Sequence, residues 1–382
     1  MVRAEASDDN RSGRKVGAGE SLSTAGATPR SGTFEEVLIP TDQLRQFARD
    51  IFIGAGFLEE HATIQAEVLV WANLRGIDSH GVLRIPSYVE AADKGWTNVR
   101  PNIQVLRETS AMLLVDVDFA LGPVGTIFVM QRVIRKAREV GIGWGLIRNA
   151  THQGAISYYS MMAASQGLAG LAIACSPPNM APYGAKAVGV HNSPISIAVP
   201  ARRHPPLVLD MATSVAAGGR LRLAIDKGVP IPEGWALTKD GYPTTDATQA
   251  SILLPFAGPK GSGLALMFEC LSSLMAGNPL LVPILSGRLN VRRLRQNGIV
   301  AAIDLASFLD LKAYTGHVDE LADHLKALPR AEGFDEILLP GEAEYRLQSH
   351  RARNGIPVPA GTIRKLRLVA ERFGVSTPAE LG

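Results

Sequence analysis

The densest group of reactive side chains in the sequence lies between Ser79 and Tyr88, and it includes His80 and Arg84. A histidine gains or loses a proton near neutral pH, and the hydroxyl of Ser79 can orient its ring or relay that proton. Arg84 carries a planar guanidinium that suits a carboxylate. On one continuous helix His80, Arg84 and Tyr88 would share a face, whereas Pro86 favours a loop that leads into a new helix. A capping histidine and a surface arginine at a helix end fit the spacing equally well.

A second histidine, His152, lies in the turn between a predicted strand and a predicted helix. Such turns are where α/β folds bind ligands. Gly154 allows a ligand to approach the backbone closely, and the free N–H groups of the following helix favour an anion. A lone histidine in this position more often caps the helix, but two histidine–glycine turns in one chain favour the catalytic interpretation.

Two further turns offer groups for a bound ligand. Asp210, followed by Met211 and Ala212, ends an apolar strand, and its carboxylate can accept hydrogen bonds from ribose hydroxyls or cap the next helix. Local chemistry favours the cap. Lys260 stands in a glycine-rich turn, 258–263, before a helix, which suits a phosphate but lacks the spacing of a P-loop.

Positioning these side chains requires a framework, and the hydrophobic pattern predicts alternating strands and helices. Thr41 is predicted to cap the first helix, whose apolar residues Leu44, Phe47, Ala48, Ile51 and Phe52 share one face, and Gly76 ends the second helix. Strands are predicted at 112–117, 144–147, 168–174, 195–199, 207–209, 299–303 and 336–339. A helical stripe, Ile127, Met130, Ile134 and Ala137, separates the first two strands and gives β-α-β order, and later helices are predicted at 214–227, 261–275 and 318–328, before a polar helical tail. This order predicts an α/β fold with a mixed sheet and a helical subdomain beside it.

Composition excludes several classes of protein. With 382 residues, 46% of them apolar, the chain can build substantial cores, and a formal charge of +3 is too small to favour nucleic-acid binding. No apolar run is long enough to cross a membrane. Two cysteines, Cys175 and Cys270, are too few for a disulfide framework and fit a cytoplasmic protein. The histidine spacing predicts no metal site.

Two classes of protein could use these residues. A hydrolase would use Ser79 and His80 as nucleophile and base, but adjacent residues rarely face each other and no G-x-S-x-G elbow is present. A non-catalytic ligand-binding protein would use the same turns without turnover. A Rossmann site is disfavoured, because no G-x-G-x-x-G stands between a strand and a helix.

Eight short motifs follow one another between Thr41 and Leu368. They are R-G-x-x-S-H-G at 75–81, H-x-G-A at 152–155, P-Y-G at 182–184, N-S-P at 192–194, D-M-A at 210–212, W-A at 235–236 with T-T-D at 244–246, the glycine-rich turn at 258–263 and P-G-E at 340–342. Their order resembles the malate/L-lactate dehydrogenase family, which has the L-sulfolactate dehydrogenase-like, non-Rossmann fold. Within this family the run 152–158 looks most like the ureidoglycolate dehydrogenases.

The resemblance implies hydride transfer between NAD or NADP and a small 2-hydroxy acid, and a homodimer or larger homo-oligomer. It implies that His80 and Ser79 form a proton-relay pair, that Arg84 binds the substrate carboxylate beside Tyr88, and that His152 matches the proton acceptor of the ureidoglycolate enzymes. The expected cofactor-lining residues are Gly154, Ser176, Asp210, Met211, Ala212, Lys260, Pro340, Gly341 and Glu342.

The polar composition of residues 1–36 predicts a disordered leader. The expected domains that follow it are 37–110, the helical N-terminal part of a substrate domain, 111–280, mainly the nicotinamide-binding α/β domain, and 281–382, a C-terminal part that returns to the first domain. The sequence departs from the family at His191 and Ser193, where glycine and then Asn or Asp are usual. Imine-reducing members complete a relay with that acidic residue, so Ser193 disfavours the alternative substrate, a cyclic imino acid.

Overall fold

A computed structural model describes residues 36–288 and 295–381, and the expected leader lies outside these residues except for Glu36. The strands are β1 Glu36–Ile39, β2 Gln104–Glu108, β3 Met112–Asp116, β4 Ile142–Ala150, β5 Leu168–Cys175, β6 Ile195–Val199, β7 Leu207–Met211, β8 Ala236–Leu237, β9 Pro243–Thr244, β10 Ile252–Leu253, β11 Gln296–Asp304 and β12 Ile356–Pro359. The helices are α1 Thr41–Gly54, α2 Glu59–Leu74, α3 Ile85–Asp93, α4 Gly122–Val140, α5 Ser157–Ala164, α6 Gly218–Lys227, α7 Pro259–Glu269, α8 Leu281–Leu285, α9 Leu311–Lys326, α10 Glu342–Asn354 and α11 Ala360–Phe373.

The main sheet has seven strands in the order β2-β3-β4-β11-β5-β6-β7. β3 and β4 are parallel and joined by α4, and every other neighbouring pair is antiparallel. The predicted mixed sheet and its β-α-β unit are therefore confirmed. β11 lies between β4 and β5 and is the central strand of the sheet, and most of its residues are buried.

α4 packs directly on the sheet because two glycines in β4 leave room for it. A Cβ atom at Gly143 would lie 2.1 Å from the carbonyl oxygen of Val133, and one at Gly145 would lie 2.5 Å from a methyl carbon of Val129. Both valines are fully buried. The missing side chains let helix and strand approach closely, and Val129 and Val133 then fill the space with van der Waals contact.

A layer of helices covers one part of this core. Its helices come from both the N-terminal and the C-terminal parts of the chain. α1 and α2 pack together, α11 contacts α1 and α3, and α10 contacts α2. The predicted apolar face of α1 is confirmed, since all five of its residues are buried. Their side chains join those of α4 and β3 in one continuous apolar cluster. The helical layer therefore shares its core with the sheet, while the division into domains at 110 and 280 stays a prediction.

Several local predictions are wrong. Residues 336–339 form no strand, because Lys326 and Glu342 bind their backbone groups: Lys326 Nζ donates to the Ile337 carbonyl and the Leu339 N–H donates to Glu342. Thr41 is the first residue of α1 and its side chain makes no capping hydrogen bond. The helix predicted from 214 begins at Gly218, and the helix predicted for 261–275 begins at Pro259 and gives way to a π-helical turn after Glu269.

The sequence analysis did not predict six strands. β1 and β12 pair antiparallel and bring the two ends of the described chain together, β2 forms one edge of the main sheet, and β8, β9 and β10 form a small separate sheet. β12 interrupts the predicted helical tail. In the described part of the chain, no helix has the length and apolar character needed to cross a bilayer.

We expect Gly143→Ala to lower the free energy of unfolding by about 1–3 kcal/mol, because the new methyl group must displace the backbone of α4. Gly263→Ala in α7 is the matched control, since a Cβ there meets nothing within 4 Å. It should leave stability unchanged or raise it by up to about 1 kcal/mol. Urea unfolding of the three proteins measures both effects, and equal midpoints for Gly143→Ala and the wild type would contradict the close packing.

Candidate active site

One edge of the main sheet collects residues from five strands. β4, β5 and β7 end at this edge and β11 and β6 begin there, as the pairs Gln296–Ala150, Asn297–Cys175 and Ile195–Met211 show. The segments that follow or precede these strands therefore lie side by side. They carry His152, Ser176, His191 and the turn after Met211.

Gln296 ties two of these segments together. Its side-chain oxygen accepts a hydrogen bond from the Gln153 N–H at 2.9 Å, and its amide nitrogen donates to Ser176 Oγ at 2.6 Å. The Gln153 side chain is buried and binds Thr126 and the Asn297 carbonyl. These contacts fix the backbone on both sides of His152.

The helical layer supplies the facing wall through the segment 78–84, which forms two short 3₁₀ turns before α3 begins. His80, Arg84 and Tyr88 therefore do not lie on one helix, and the loop that Pro86 indicates is correct. Buried Asn73 fixes this segment, since its Oδ1 accepts the Val82 N–H at 2.8 Å and its Nδ2 donates to Asp78 at 2.6 Å. A Cβ atom at Gly81 would lie 2.1 Å from the Asn73 oxygen, so only glycine fits there.

The two walls meet at His80 and His152. Their rings stack with centroids 5.3 Å apart and an interplanar angle of 17°. Tyr88 from α3 reaches across, with its hydroxyl oxygen 2.7 Å from His152 Nδ1. The sequence-predicted residues Ser79, His80, Arg84, Tyr88 and His152 are thus brought together in one cleft.

The hydrogen bonds of His152 determine where its proton lies. Its Nδ1 accepts the backbone N–H of Gly154 at 3.3 Å, and an N–H group can only donate. Nδ1 therefore carries an unprotonated lone pair, and the neutral ring carries its hydrogen on Nε2. The Tyr88 hydroxyl can donate to the same Nδ1. His152 consequently presents an N–H donor to the cleft.

His80 has a different partner. Ser79 Oγ lies 3.0 Å from His80 Nδ1, so the expectation that these neighbours do not face each other is wrong. A tight turn closed by the His80 N–H and the Ile77 carbonyl brings the two side chains together. Because a hydroxyl both donates and accepts, the proton of His80 can lie on either ring nitrogen. Among the described residues, Nε2 of His80 has no hydrogen-bond partner, so it is free to gain or lose a proton.

Three histidines of the cleft are neutral at physiological pH. Burial, with the positive charges of Arg84 and Arg222, lowers the pKa of His80 to about 4. Burial lowers the pKa of His152 well below its usual value, with smaller contributions from neighbouring positive groups, and burial alone lowers the pKa of His191 to about 3. Desolvation penalises the charged imidazolium, which explains the common direction.

Arg84 is a half-buried cation with no ion pair among residues 36–288 and 295–381. Its Nε donates to the Ser79 carbonyl at 2.8 Å, which leaves the two terminal nitrogens of the guanidinium for a ligand. Burial lowers the pKa of Arg84, Tyr88 opposes that shift and Arg222 adds to it. An arginine stays protonated in proteins, so this cleft holds a positive charge suited to a carboxylate.

The glycine-rich turn packs against the segment that follows β7, beside this cleft, whereas the P-G-E turn packs against the first part of β7. A Cβ atom at Gly261 would lie 2.5 Å from the Thr213 carbonyl oxygen, and one at Gly341 would lie 2.9 Å from Val208. Lys260 is exposed near the start of α7. Met211, Ala212 and Lys260 therefore come from neighbouring segments at this edge, whereas Pro340 and Gly341 lie beside Val208, toward the start of β7.

Asp210 is in β7 and caps no helix, so the capping interpretation is wrong. Asp210 lies on the edge strand and is exposed as a whole. Atoms around its carboxylate nevertheless desolvate that group and raise its pKa to about 6, and hydrogen bonding to Ser157 opposes this shift. Glu342 has other partners: Lys326 Nζ lies 2.7 Å from its carboxylate and Arg346 also contacts it. These ion pairs outweigh burial and lower the pKa of Glu342 to about 2, so its side chain holds the 339–342 turn.

The sequence analysis did not assign a role to two further residues of the cleft. His191 was noted only as a departure, yet it adds to the lowering of the pKa of His152 and its Nδ1 lies 3.2 Å from Ser193 Oγ. Arg222 acts on His80, Arg84 and His152, but on an exposed helix it resembles any surface arginine. No three potential metal ligands (His, Cys, Asp or Glu) are grouped closely enough for a metal ion within the described ranges.

Residues 39–367 match the malate/L-lactate dehydrogenase family. The chain belongs to this family. It is 36% identical to the L-sulfolactate dehydrogenase of Methanocaldococcus jannaschii, covering 89% of this chain and 98% of that one. It is 33% identical to the malate dehydrogenase of Pyrococcus horikoshii, over 89% and 96%. Ureidoglycolate dehydrogenase (NAD(+)) of Escherichia coli O157:H7 is also 33% identical, over 84% and 92%.

Solved structures of this family share the fold. The sulfolactate dehydrogenase from Methanocaldococcus jannaschii superposes with a TM-score of 0.80 at 35% identity, covering 89% of this chain and 98% of that one. The delta1-piperideine-2-carboxylate reductase from Pseudomonas syringae superposes with a TM-score of 0.78 at 27% identity, over 87% and 99%. The predicted non-Rossmann fold is confirmed, and the chain is an oxidoreductase of the 2-hydroxy acid dehydrogenase family. The similar identities single out no one substrate.

We expect nitrogen NMR of ¹⁵N-histidine-labelled protein to show His152 as the Nε2–H form at pH 7, with its Nδ1 as acceptor. The three cleft histidines should stay neutral at pH 6, because burial lowers the pKa of each of them. Single histidine substitutions assign the signals. A cleft histidine that becomes charged as the pH falls from 7 to 6 would contradict the desolvated site.

Proposed function

We propose that the cleft between the sheet edge and the 78–84 segment oxidises a small 2-hydroxy acid to the 2-keto acid, with NAD or NADP as hydride acceptor. The observation that carries the proposal is the convergence of Arg84, His80 and His152 from two different parts of the fold. A carboxylate anchor and a proton acceptor beside one C–OH group are what this reaction requires.

Arg84 anchors the substrate. Its free terminal nitrogens can bind both oxygens of the carboxylate, which fixes the direction of the adjacent carbon atom. Binding the anion also satisfies a desolvated positive charge, so much of the binding energy comes from this contact. Positioning of this kind contributes strongly to the rate.

We assign the proton transfer to His80. When its Nδ1–H donates to Ser79 Oγ, its Nε2 holds a free electron pair that accepts the substrate hydroxyl proton. His152 donates its Nε2–H to the same substrate oxygen and orients it. In the direction of reduction His80 returns the proton. This assignment differs from the one expected from the ureidoglycolate enzymes, because the Gly154 N–H occupies the Nδ1 of His152.

Substrate binding adjusts the basicity of His80. The positive charge of Arg84 contributes to its low pKa, and a bound carboxylate neutralises that charge. The pKa of His80 therefore rises in the complex, toward the range in which proton transfer is efficient near neutral pH. The same anion anchors the substrate and activates the base.

The residues beside the cleft fit a nicotinamide dinucleotide, which supplies the hydride acceptor when bound. Thr213 has a buried hydroxyl without a hydrogen-bond partner in the described chain, and Asp210 presents a carboxylate suited to ribose hydroxyls. Ser176, Gly154 and the 340–341 turn would line the same site. Lys260 and the first N–H groups of α7 suit a phosphate.

Other expectations remain part of this proposal. An imine substrate is disfavoured because Ser193, buried beside Cys175 and His191, provides no carboxylate. We propose a cytoplasmic homodimer or larger homo-oligomer that binds neither nucleic acid nor membrane. Both cysteines are free thiols, as in a reducing compartment. Light scattering of the purified protein measures its oligomeric state.

The direct test follows absorbance of the reduced nicotinamide with both cofactors across a panel of 2-hydroxy and 2-keto acids. We expect turnover of at least one pair. Folded protein that binds the cofactor but exchanges no hydride with any member would favour the non-catalytic alternative. Labelling of Ser79 by a serine-directed phosphonate would favour the hydrolase.

We expect Arg84→Ala to weaken binding of the 2-hydroxy acid about 10- to 150-fold, the equivalent of a charged hydrogen bond of about 1.5–3 kcal/mol. The dissociation constant of the reduced cofactor, measured by fluorescence, should change little. Arg107→Ala on the exposed strand β2, at one extreme edge of the sheet, is the matched control. Equal losses for substrate and cofactor would show that Arg84 is not the carboxylate ligand.

The pH dependence of oxidation should reveal the low pKa of His80. The reaction needs the neutral ring, and the free enzyme has a His80 pKa of about 4, so kcat/KM should stay level between about pH 5.5 and 8. His80→Asn should lower kcat about 10²- to 10⁴-fold, while exposed His350→Asn should not. An acid limb centred near the ordinary histidine pKa of about 6.5 would argue against this environment.

A further inference from the structure

The two faces of the seven-stranded sheet are covered to different extents. α4 and α5 pack on the face that carries Gly143, Gly145 and Gly170, where an added Cβ atom would lie 2.1–2.5 Å from atoms of these helices. Successive side chains of a strand point to opposite faces. The residues that alternate with these glycines therefore form a second face, which α4 and α5 do not cover.

The side chains of this second face are apolar across six strands. One row of Cα partners, the middle row, runs through β3, β4, β11, β5, β6 and β7 and consists of Met112, Trp144, Ala301, Leu171, Ile197 and Leu209. In the last five of these strands, the residues two positions before and after the middle row are apolar as well. They form an inner row toward the cleft and an outer row at the opposite ends of the strands. In these five strands, three adjacent rows therefore carry no charged side chain.

A single chain buries the inner row but leaves the other two rows at its surface. Residues 259–285, the helical cover, supply side chains that form one buried cluster with the inner row of β4, β5 and β11. In the middle row Met112 is 57% exposed, and Ile197 and Leu209 are each 39% exposed. In the outer row Ile142 is 44% and Ile303 39% exposed. Large aliphatic side chains gain free energy when they leave water, so this face favours a further covering layer.

The helical cover continues the apolar surface. Met267, Leu271, Leu274 and Met275 are all exposed. Glu269 is the one charged residue between 261 and 287, and it is buried, where its carboxylate accepts two backbone N–H groups at the start of α8. A lack of charged residues distinguishes the core of a protein interface from ordinary surface.

The size of this surface fits an interface between two proteins. With strands about 4.8 Å apart and a two-residue repeat of about 6.8 Å, the middle and outer rows cover about 400 Å². The largest apolar patch on a typical monomer is about 300–600 Å². The exposed side chains of the cover extend this surface toward the roughly 800 Å² per partner that a stable interface buries.

The composition of the face and of the rest of the chain indicates a second copy as the occupant. Residues 1–35, outside the described ranges, contain five large apolar residues, too few to cover the face, and residues 289–294 include two arginines. Two identical uncharged surfaces bring no like charges together, so the face is self-complementary. A different protein would need polar groups that select it. In the three described rows the indole N–H of Trp144 is the one polar side-chain group, and it is buried.

We propose that this face packs against the same face of a second copy of the chain, so that the two sheets stack about 10 Å apart. The inference rests on the homo-oligomer of the proposed function and names its surface. The outer row lies at the start of β4, whereas His152 follows the end of this strand. The interface therefore leaves the cleft of each copy open.

The test introduces a charge into the face with Ile197→Lys. A lone copy keeps the lysine in water, whereas the interface would bury it, so we expect the dissociation constant of the oligomer to rise at least about 100-fold. Light scattering over a range of concentrations should give a multiple of 40.7 kDa for the wild type and a smaller species for the variant. Leu368→Lys, at an exposed apolar residue of α11, is the matched control and should behave like the wild type. Far-UV circular dichroism checks that both variants are folded.

A second measurement needs no charged variant. The thiol of Ile197→Cys should react with a maleimide at least about 10-fold more slowly than that of Leu368→Cys, because it reacts only when the interface opens. Dilution that dissociates the oligomer should abolish this difference. The wild type, whose own free thiols are Cys175 and Cys270, gives the background rate.

The outcomes separate the face from the oligomer. A wild type that stays monomeric at every concentration overturns both this face and the proposed homo-oligomer. An oligomer that Ile197→Lys leaves intact, or equal reaction of the two introduced thiols, overturns the face alone. None of these readouts requires turnover of a 2-hydroxy acid, so failure of the proposed reaction does not change their meaning.

Discussion

The arrangement of this site depends on a positive charge that the described chain leaves without a counter-ion. The guanidinium of Arg84 is half buried, held only through its Nε by the Ser79 carbonyl, and it lies beside rings that burial keeps neutral. Burying an unpaired cation opposes folding, so other contacts must hold Arg84 in this position. Asn73 and Gly81 do so by fixing the two 3₁₀ turns from a buried helix end. A substrate carboxylate then completes an ion pair for which the protein is already arranged.

The two walls of the cleft, the sheet edge and the helical layer, are held in place by different kinds of contact. His152 stands on a turn between β4 and α5 that is held by Gln153 and Gln296, which are joined to the centre of the sheet through β11. The 78–84 segment consists of two short 3₁₀ turns and depends on side-chain contacts, including the pair of Asp78 with Arg351 from α10. The C-terminal helices therefore stabilise the catalytic loop of the N-terminal part, which gives a physical reason for the chain to return to the first layer.

Hydrophobic periodicity predicted the strands and helices that carry long apolar patterns, such as the buried face of α1 and the β3-α4-β4 unit. It did not predict β1 and β12, because each is short and its partner lies at the opposite end of the chain, nor the two-residue strands of the small sheet. The reactive residues could be selected by their side-chain chemistry. Their spacing could not decide between a catalytic role and an ordinary one, such as capping a helix. Convergence of His80 with His152 depends on tertiary packing, and the resemblance, not the periodicity, indicated it. Glu342 was expected beside the cofactor, and the cations on α9 and α10 that occupy its carboxylate have no signature in sequence.

The departures from the family pattern lie on the side of the cleft that holds His191 and Ser193. Where an acidic residue would stabilise a charged histidine, Ser193 Oγ lies 3.2 Å from His191 Nδ1 and also contacts the thiol of Cys175. None of these groups carries a charge at neutral pH, and burial lowers the pKa of His191 to about 3. Among the described residues, this side of the cleft therefore has no carboxylate that would favour an iminium cation. The neutral pair of His191 and Ser193 and the unpaired cation of Arg84 act in the same electrostatic direction, toward an anionic substrate.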